Sequence, residues 1–217
     1  MRFVVTAGPT REAIDPVRFL SNRSSGKMGY AIAEAALANK HQVTLISGPA
    51  TISPPREAKV VRITTADELH SAVHRSLRRC DVFVMCAAVS DYKPAAPSAR
   101  KLKKQKFAFA LKLVPTRDIL ASLPKRRRFA VIGFAAETHD LKIHAQKKLR
   151  AKNCDAIVAN DVSGTEIGME SDENEVTIFF RDGEIQKISR ASKKKIAREL
   201  VKIIAKMWEK SLTKKSW

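Results

Sequence analysis

Cysteine and long apolar runs are scarce in this chain of 217 residues. Its three cysteines, Cys80, Cys86 and Cys154, are odd in number and show no CxxC spacing, so we expect reduced thiols rather than a disulfide framework. No apolar run approaches the roughly 18 residues needed to span a bilayer, and Met1 leads directly into a strand-like segment without the pattern of a signal peptide. These features predict a cytoplasmic protein that has no membrane partner.

Aromatic residues are also few, at 6% of the sequence, whereas 41 Lys and Arg against 22 Asp and Glu give a net charge of +19. So basic a chain is a candidate for nucleic-acid binding. However, its basic residues are spread along the sequence, no helix-turn-helix or zinc-finger spacing accompanies them, and few aromatic side chains are available to stack on bases. We therefore favour a solvated basic surface, which also attracts small polyanions such as nucleotides, over a specific nucleic-acid partner. A basic, Rossmann-like nucleic-acid-binding protein stays open as the alternative.

Apolar runs typical of strands alternate with helical patterns along the chain, which is the signature of βαβ units. The pattern predicts an α/β fold, Rossmann-like, with a mainly parallel sheet and helices on both of its faces. We expect one domain over residues 1–217. A hairpin and a helix are predicted to close the chain over about 175–210, with Asp182 and Gly183 in the hairpin turn.

A lysine-rich flap is predicted over about residues 92–113. Its segment 100–106 cannot pack as core, so it is either a plain surface loop or a mobile segment that brings cations onto a ligand. Residues 107–113, FAFALKL, are predicted to form a strand outside the main parallel set. A short helix is predicted to follow over 116–123, with Thr116 as its cap.

Unusual polar residues cluster where the predicted parallel strands end. In a parallel sheet the carboxyl ends lie at one edge, where ligands bind. We therefore predict a single crevice lined by five strand ends. These are residues 8–11, 47–49, 90–92, 137–138 and 160–161.

The segment SNRSSGKMG, residues 21–29, is polar and rich in glycine, yet an apolar helical pattern follows at once. A helix that begins near Ser25 and Gly26 presents N–H groups and a partial positive charge that suit a phosphate, and Gly26 and Gly29 permit close approach. The spacing differs from Walker A and from G-x-G-x-x-G, which also disfavours a dinucleotide-dependent reductase. Two interpretations stay open: a phosphate-binding helix start, or an ordinary helix capped by its serines.

Other candidate residues also have a functional and a structural interpretation. Lys148 and Lys152 lie four apart on a predicted helix, where they either hold an anion between them or form a solvated face. His70 and His74 have the spacing of metal ligands, but nothing nearby completes a set, so a surface pair is favoured. Asp91 follows a buried strand and is a candidate functional carboxylate.

Five motifs together carry a resemblance to a known enzyme family. They are TAGPTREAIDPVRFLSNRSSGKMG (6–29), CAAVSDYKP (86–94), KLKK (101–104), GFAAET (133–138) and ANDVS (159–163). In this order they resemble phosphopantothenate–cysteine ligase, also called phosphopantothenoylcysteine synthetase. The resemblance is to the bacterial, CTP-dependent type without the flavin-dependent decarboxylase domain that many bacteria fuse to it, and nothing in the sequence suggests flavin.

The resemblance implies a two-step reaction in coenzyme A biosynthesis. The carboxylate of 4′-phosphopantothenate attacks the α-phosphorus of CTP and releases pyrophosphate, leaving an acyl-cytidylate. The amine of L-cysteine then displaces CMP and gives phosphopantothenoylcysteine. Also implied are Mg²⁺ carried mainly by the nucleotide phosphates, a homodimer, and a separate decarboxylase as a further candidate partner. The metal-binding residues are unknown, and ATP, which the eukaryotic form uses, stays open.

The resemblance also implies roles for individual residues. Asn22 would contact the acyl group and help turn over the acyl-cytidylate, Lys101 would close on it from the flap, and Asp91 would complete the catalytic set. The phosphopantothenate-binding set is Arg18, which would serve the neighbouring subunit, with Asn22, Ser24, Ser25, Gly26, Ala87 and Ala88. The nucleotide-binding set is Met85, Cys86, Ala87, Asp91, Lys101, Thr116, Arg117, Asp118, Ile119, Phe134, Lys148 and Lys152. The segment PTRDI (115–119) departs from the usual Asn-Pro-Asp-Ile form at Thr116 and Arg117.

Overall fold

The computed structural model describes residues 1–104, 106–163 and 171–213. Its strands are β1 (Arg2–Ala7), β2 (Arg11–Ala13), β3 (Phe19–Ser21), β4 (Gln42–Ser47), β5 (Lys59–Arg62), β6 (Val82–Met85), β7 (Tyr92–Pro94), β8 (Leu113–Pro115), β9 (Ala130–Glu137), β10 (Ala156–Asp161), β11 (Glu173–Phe180) and β12 (Ile185–Ser192). Its helices are α1 (Lys27–Ala38), α2 (Ala66–Ser76), α3 (Leu141–Ala151) and α4 (Lys193–Thr213), with a short 3₁₀ turn at Leu77–Arg79.

The main sheet has eight strands in the order β12-β11-β10-β9-β6-β1-β4-β5. The strands from β10 to β5 in that order pair in parallel, whereas β11 and β12 are antiparallel to their neighbours. Two small antiparallel pairs, β2 with β3 and β7 with β8, lie outside this sheet. The predicted Rossmann-like α/β fold is therefore confirmed, with β6 between β1 and β9 at its centre.

Buried side chains of the parallel strands pack on both faces of the sheet, which explains their continuous apolar sequences. Val5 lies in one core with Ile32 of α1 and Leu200 of α4. Its neighbour Val4 lies in the other core, with Leu69 of α2. Because adjacent strand residues point to opposite faces, one strand supports both helical layers.

The C-terminal hairpin and helix form as predicted. β11 and β12 pair around the turn that holds Asp182, and α4 buries an apolar stripe at helical spacing. The buried members of that stripe are Ile196, Leu200, Ile204 and Trp208. Within the described part of the chain, no helix combines the length and apolarity that a bilayer crossing requires.

Two local predictions around the flap are wrong. The predicted strand does lie outside the main sheet, but its bounds are wrong: it is at Leu113–Pro115, where it pairs with Tyr92–Pro94, rather than over residues 107–113. Phe107 and Phe109 are 86% and 62% exposed, so their side chains are not buried as those of a core strand would be.

The short helix predicted at 116–123 is also absent; turns occupy residues 119–123. The Thr116 hydroxyl does not accept a helix N–H as a cap would, because it donates to the carbonyl oxygen of Ser90 at 2.7 Å. Asp118 instead accepts the N–H of Ala121 at 2.8 Å.

Candidate functional site

The carboxyl ends of β1, β4, β6, β9 and β10 meet at one edge of the sheet, as the parallel pairing requires. We call this the strand-end edge. The segments after β1 and β6 stay hydrogen-bonded to each other beyond the strands. Ala88 donates its N–H to the carbonyl oxygen of Gly8 at 3.0 Å, and Thr10 donates its N–H to the carbonyl oxygen of Ala88 at 3.1 Å. The segments after β1 and β6 therefore form one continuous surface.

Two buried threonine hydroxyls hold the end of β6 in place. Oγ1 of Thr6 accepts the N–H groups of Cys86 and Ala87, both at 3.0 Å. Oγ1 of Thr10 accepts the N–H of Ser90, also at 3.0 Å. Thr10 lies within the predicted crevice segment 8–11, but sequence reasoning missed Thr6, although a polar residue within the apolar run FVVTAG was an available signal.

These contacts define what Ala87 and Ala88 can offer a ligand. Their N–H groups are bonded within the protein, to Thr6 and Gly8. Small, half-buried side chains at both positions leave room beside the strand end. The two alanines therefore shape the edge sterically rather than by donating N–H groups.

Helix α1 begins at this edge, directly after the polar segment 21–26. Gly26 is its N-cap, in the left-handed region with φ of 79°, and no side-chain cap bonds this helix start. Ser24 Oγ accepts the Gly26 N–H at 3.3 Å, and Ser25 Oγ accepts the Lys27 N–H at 3.5 Å, which are long contacts. The alternative of a helix capped by its own serines is therefore not what the structure shows.

The glycines of this helix start are needed for packing against the protein itself. A Cβ on Gly26 would lie 3.2 Å from the Gly8 backbone. A Cβ on Gly29 would lie 2.6 Å from Ala7 Cβ and 2.9 Å from the carbonyl oxygen of Thr6. Both glycines thus let α1 begin in direct contact with the end of β1 and with Gly8. The sequence suggested that these glycines allow a ligand to approach closely, but here it is the protein's own backbone that does so.

Lys148 of α3 and Lys152, the C-cap of that helix, bond to residues of other segments. Lys148 Nζ donates to the carbonyl oxygen of Phe134, on β9, at 2.7 Å. Lys152 Nζ forms an ion pair with Asp118. Neither lysine lies on a fully solvated face, since both are half-buried against protein groups.

Lys148, Lys152 and Asp118 form what we call the lysine cluster, and burial affects the charges of these groups. It lowers the pKa of Lys148, against the opposing effect of nearby Glu137. Partial burial acts to raise the pKa of Asp118, but the hydrogen bonds from Lys152 and from the N–H of Ala121 outweigh it and lower that pKa. The cluster therefore combines an ion pair with an amine that is costly to keep charged in a dry environment.

Other predicted nucleotide-site residues lie on both faces of the sheet: Met85 and Ile119 are in the core with α2 and α3, whereas Cys86 packs against the core with α1 and α4. Ile119 and Met85 are buried, at 3% and 8% exposure, and contribute apolar surface. Burial also raises the pKa of the Cys86 thiol to about 12, so it is protonated at neutral pH. Thr116 donates its N–H to the carbonyl oxygen of Asp91 at 2.8 Å, and this bond joins the segment after β8 to the segment after β6.

Three of the predicted residues lie on exposed loops, and one points away. Asn22, Asp91 and Lys101 are exposed. Arg117 is 71% exposed, and its Nε lies 3.9 Å from Asp67 of α2 rather than beside the α3 lysines.

Arg18 lies in the loop between β2 and β3 and contacts both its neighbour Asp15 and the flap. Its guanidinium donates to the Asp15 carboxylate and to the carbonyl oxygen of Leu102 at 2.9 Å. The hydrogen bonds from Arg18 hold the pKa of Asp15 well below its usual range. Sequence reasoning also missed Asp15, whose contact with the flap is made at Leu102, far away in sequence.

The histidine pair lies on α2. The rings of His70 and His74 are 4.4 Å apart, and His74 Nε2 is 2.9 Å from Ser122 Oγ. Across residues 1–104, 106–163 and 171–213, no three His, Cys, Asp or Glu side chains are arranged to hold a metal ion.

Comparisons with known proteins agree with this architecture. Residues 1–207 match the protein family described as DNA/pantothenate metabolism flavoprotein C-terminal domain. The coenzyme A biosynthesis bifunctional protein CoaBC of Bacillus subtilis is 45% identical over 204 residues, which are 93% of this chain and 50% of that protein. The chain therefore spans about half the length of the curated relatives it matches.

Solved structures show the same likeness. The crystal structure of the C-terminal domain of a CoaBC protein superposes with a TM-score of 0.81 at 41% identity and covers 96% of each chain. The DNA/pantothenate metabolism flavoprotein from Streptococcus pneumoniae has a TM-score of 0.81 at 25% identity, over 94% of this chain and 98% of that one.

Proposed function

This chain belongs to the family of DNA/pantothenate metabolism flavoprotein C-terminal domains, and on that basis we propose that it is a phosphopantothenate–cysteine ligase of coenzyme A biosynthesis. It joins 4′-phosphopantothenate to L-cysteine, driven by cleavage of CTP to CMP and pyrophosphate. The observation that supports the proposal is the strand-end edge, where α1 begins against the end of β1 beside the end of β6, and where Lys148 bonds to the neighbouring strand β9.

The start of α1 is the proposed site for the phosphate of phosphopantothenate. A helix N-terminus presents N–H groups and a partial positive charge to an anion. Here the half-buried Ser24 and Ser25 and the buried Gly26 sit at that N-terminus. Asn22 precedes them on an exposed loop, where its amide can reach the acyl end of the same substrate.

The lysine cluster is the proposed site for the phosphates or sugar of CTP. Lys148 and Lys152 now bind a carbonyl oxygen and a carboxylate, and phosphate oxygens are acceptors of the same kind. A bound phosphate would also favour the charged form of Lys148, which burial disfavours, because a nearby anion raises the pKa of an amine. Ile119 and Met85 supply apolar contacts beside the nucleotide.

The chemistry explains why cations are concentrated at this edge. In the first step a carboxylate oxygen of phosphopantothenate bonds to the α-phosphorus of CTP, and the bond to pyrophosphate breaks. Both reactants are anions, so Lys101, Lys148 and Lys152 lower the repulsion along the reaction path.

In the second step the cysteine amine attacks the acyl carbon, CMP leaves, and the amine gives up a proton. The acyl oxygen gains negative charge during this attack, and the role proposed for the amide of Asn22 is to donate a hydrogen bond to it. Ala87, Ala88 and Asp91 frame the junction between the pantothenate and nucleotide parts of the intermediate.

Mg²⁺ is proposed to accompany CTP. A cage made only by the protein does not fit the described residues, which offer no group of three suitable ligands. Mg²⁺ commonly takes most of its ligands from nucleotide phosphates and water, and when bound it would neutralise part of their charge. We further propose a cytoplasmic homodimer, with Arg18 reaching the neighbouring active site, and a separate decarboxylase that consumes the product.

The direct test is an assay with 4′-phosphopantothenate, L-cysteine, Mg²⁺ and either CTP or ATP. We expect pyrophosphate release and phosphopantothenoylcysteine with CTP, and less of both with ATP. Without cysteine, acyl-cytidylate should form with about one pyrophosphate per site. If neither nucleotide yields pyrophosphate, the proposed function is wrong, whereas a preference for ATP would correct only the choice of nucleotide.

A further inference from the structure

The loop between β2 and β3 binds both backbone polar groups of one flap residue, Leu102. The Leu102 N–H donates to Asp15 Oδ2 at 3.1 Å, and the Leu102 carbonyl oxygen accepts from Arg18 Nη2 at 2.9 Å. Both backbone polar groups of one flap residue are therefore held by one ion pair. A third contact lies nearby, where Ser98 donates its N–H to the carbonyl oxygen of Ile14 at 2.9 Å.

The Asp15 carboxylate is completely buried, although it lies in a short loop. Its Oδ1 accepts the N–H groups of Val17 and Arg18 at 2.9 and 2.8 Å, and its Oδ2 accepts Arg18 Nε at 3.0 Å in addition to the Leu102 N–H. Charge-assisted bonds of this number stabilise a buried carboxylate, whereas an exposed ion pair contributes little. Removing this one charge would therefore weaken several contacts together.

Electrostatic repulsion between the flap lysines and the rest of this basic protein disfavours a closed flap. Lys101, Lys103 and Lys104 are exposed neighbours in sequence, on a chain whose net charge is +19. Like charges on a compact protein repel one another and favour open conformations of a loop. A buried carboxylate that binds the flap backbone opposes this repulsion without neutralising the lysines.

We propose that Asp15 is a positioning residue: together with Arg18 it clasps Leu102 and so fixes the flap segment that carries Lys101. Asp15 does not touch substrate in this arrangement, since its oxygens are occupied by backbone and guanidinium donors. The consequence for catalysis rests on the proposed function, in which Lys101 closes on the acyl-cytidylate. The clasp itself is a property of the protein without substrates.

The test is amide hydrogen exchange of the full chain without ligands, comparing wild type with Asp15→Asn. Asparagine keeps the size and one acceptor oxygen but loses the charge, so we expect exchange at Leu102 and its flap neighbours to rise roughly ten-fold. The control is Asp81→Asn, because Asp81 also accepts an arginine side chain and a backbone N–H, both from Arg2, at the opposite edge of the sheet. Flap exchange that is equal in the two variants would overturn the proposal.

Arg18→Lys decides the matter if Asp15→Asn does not fold. It preserves the carboxylate and its bonds to backbone N–H groups but removes the planar guanidinium that binds Asp15 and Leu102 together. Faster flap exchange in this variant supports the clasp, and unchanged exchange contradicts it.

Kinetics then separate this proposal from the proposed function. In Asp15→Asn we expect kcat to fall several-fold, with the KM values for phosphopantothenate and CTP nearly unchanged, because a displaced Lys101 affects the transition state more than substrate binding. Asp81→Asn should keep wild-type values. An inactive wild type with a flap released by Asp15→Asn would refute the proposed function alone. An active wild type with an unaffected flap would refute the clasp alone.

Discussion

At the scale of single residues, neutral hydrogen-bonding groups are as important to the strand-end edge as its charges. Thr6 and Thr10 contribute one oxygen each, yet together they bind three N–H groups just beyond the end of β6. Because buried N–H groups are costly when unpaired, these hydroxyls fix the backbone on which Ala87 and Ala88 sit. In the proposed reaction, the substrates would then meet a strand end whose backbone is held in place.

We expect Thr6→Val to destabilise the protein by roughly 2–3 kcal/mol, because valine keeps the shape but leaves the N–H groups of Cys86 and Ala87 without their acceptor. Urea unfolding measures this change. Thr44→Val, at a half-buried position on β4, is the matched control and should cost less. Equal losses in the two variants would mean that the Thr6 hydroxyl has no special part in holding the strand end.

Asn22→Asp should separate the two steps of the proposed reaction. A carboxylate cannot donate a hydrogen bond to the acyl oxygen and repels its developing negative charge, so we expect product formation to fall about 100-fold while acyl-cytidylate accumulates. Rapid quench followed by mass spectrometry measures both species. The same change at Asn39, the C-cap of α1, should leave them unaltered, and unchanged turnover in Asn22→Asp would contradict the role given to Asn22.

At the scale of elements, the close packing of α1 on β1 links phosphate binding to the sheet. In Gly29→Ala the new Cβ would lie 2.6 Å from Ala7 Cβ, so the helix start must move. We expect a stability loss of roughly 1–3 kcal/mol and a raised KM for phosphopantothenate, with the KM for CTP nearly constant.

Calorimetry and steady-state kinetics test this prediction. The control is Gly183→Ala in the hairpin turn, where φ of 94° strains an alanine although nothing lies within 4 Å of its Cβ. That variant should lose stability without any change in KM. If both KM values rise equally in Gly29→Ala, the helix start does not act on one substrate alone.

Elements with a strong internal pattern could be predicted from the sequence, and elements defined by a distant partner could not. The stripe from Ile196 to Trp208 indicates its helix by period alone, and the parallel strands could be recognised by their apolar runs. The strand at Leu113–Pro115 depends on pairing with Tyr92–Pro94, and Thr116 bonds Ser90. Local sequence contains neither partner, so both predictions failed.

The same distinction applies to the candidate site. Parallel strand order was enough to place the polar strand ends at one edge. By contrast, the part played by Asp15 depends on Leu102, 87 positions away, and that of Thr6 on Cys86, 80 positions away. Motif resemblance supplied candidate ligands, but the residues that support the ligand-binding backbone emerge only from tertiary contacts.

At the scale of the whole molecule, the acidic residues set the pH range in which the fold is stable. Native contacts lower the pKa of several aspartates below the ordinary value of 3.8; those with a basic partner include Asp15, Asp67, Asp81 and Asp118. A carboxyl whose pKa is lower in the folded state stabilises the fold above its unfolded pKa, and that contribution is lost as pH falls through the folded value.

We therefore expect the free energy of unfolding to decrease slightly as pH falls from about 7 to 5, because burial lowers the pKa of His41 and His70, and to decrease more steeply below about pH 4. Urea titrations at several pH values measure it. Asp81→Asn should make the decrease shallower, because one of the responsible carboxylates is gone. Stability that stays constant down to about pH 3 would show that these aspartates are not coupled to folding.

The net charge of +19 is also a property of the whole molecule, and it should produce weak, general attraction to nucleic acid. We expect a fluorescent duplex of arbitrary sequence to bind at low salt without Mg²⁺ or CTP. If several phosphates are contacted, its affinity should fall by roughly 10³ between about 50 and 200 mM salt, because binding releases counterions.

Anisotropy titrations with two unrelated sequences and a single strand measure this dependence. Equal affinities for the two unrelated sequences would show that the interaction is a consequence of surface charge. Tight binding to one sequence that persists at the higher salt would instead favour a nucleic-acid-binding protein, because base contacts resist salt in a way that phosphate contacts do not.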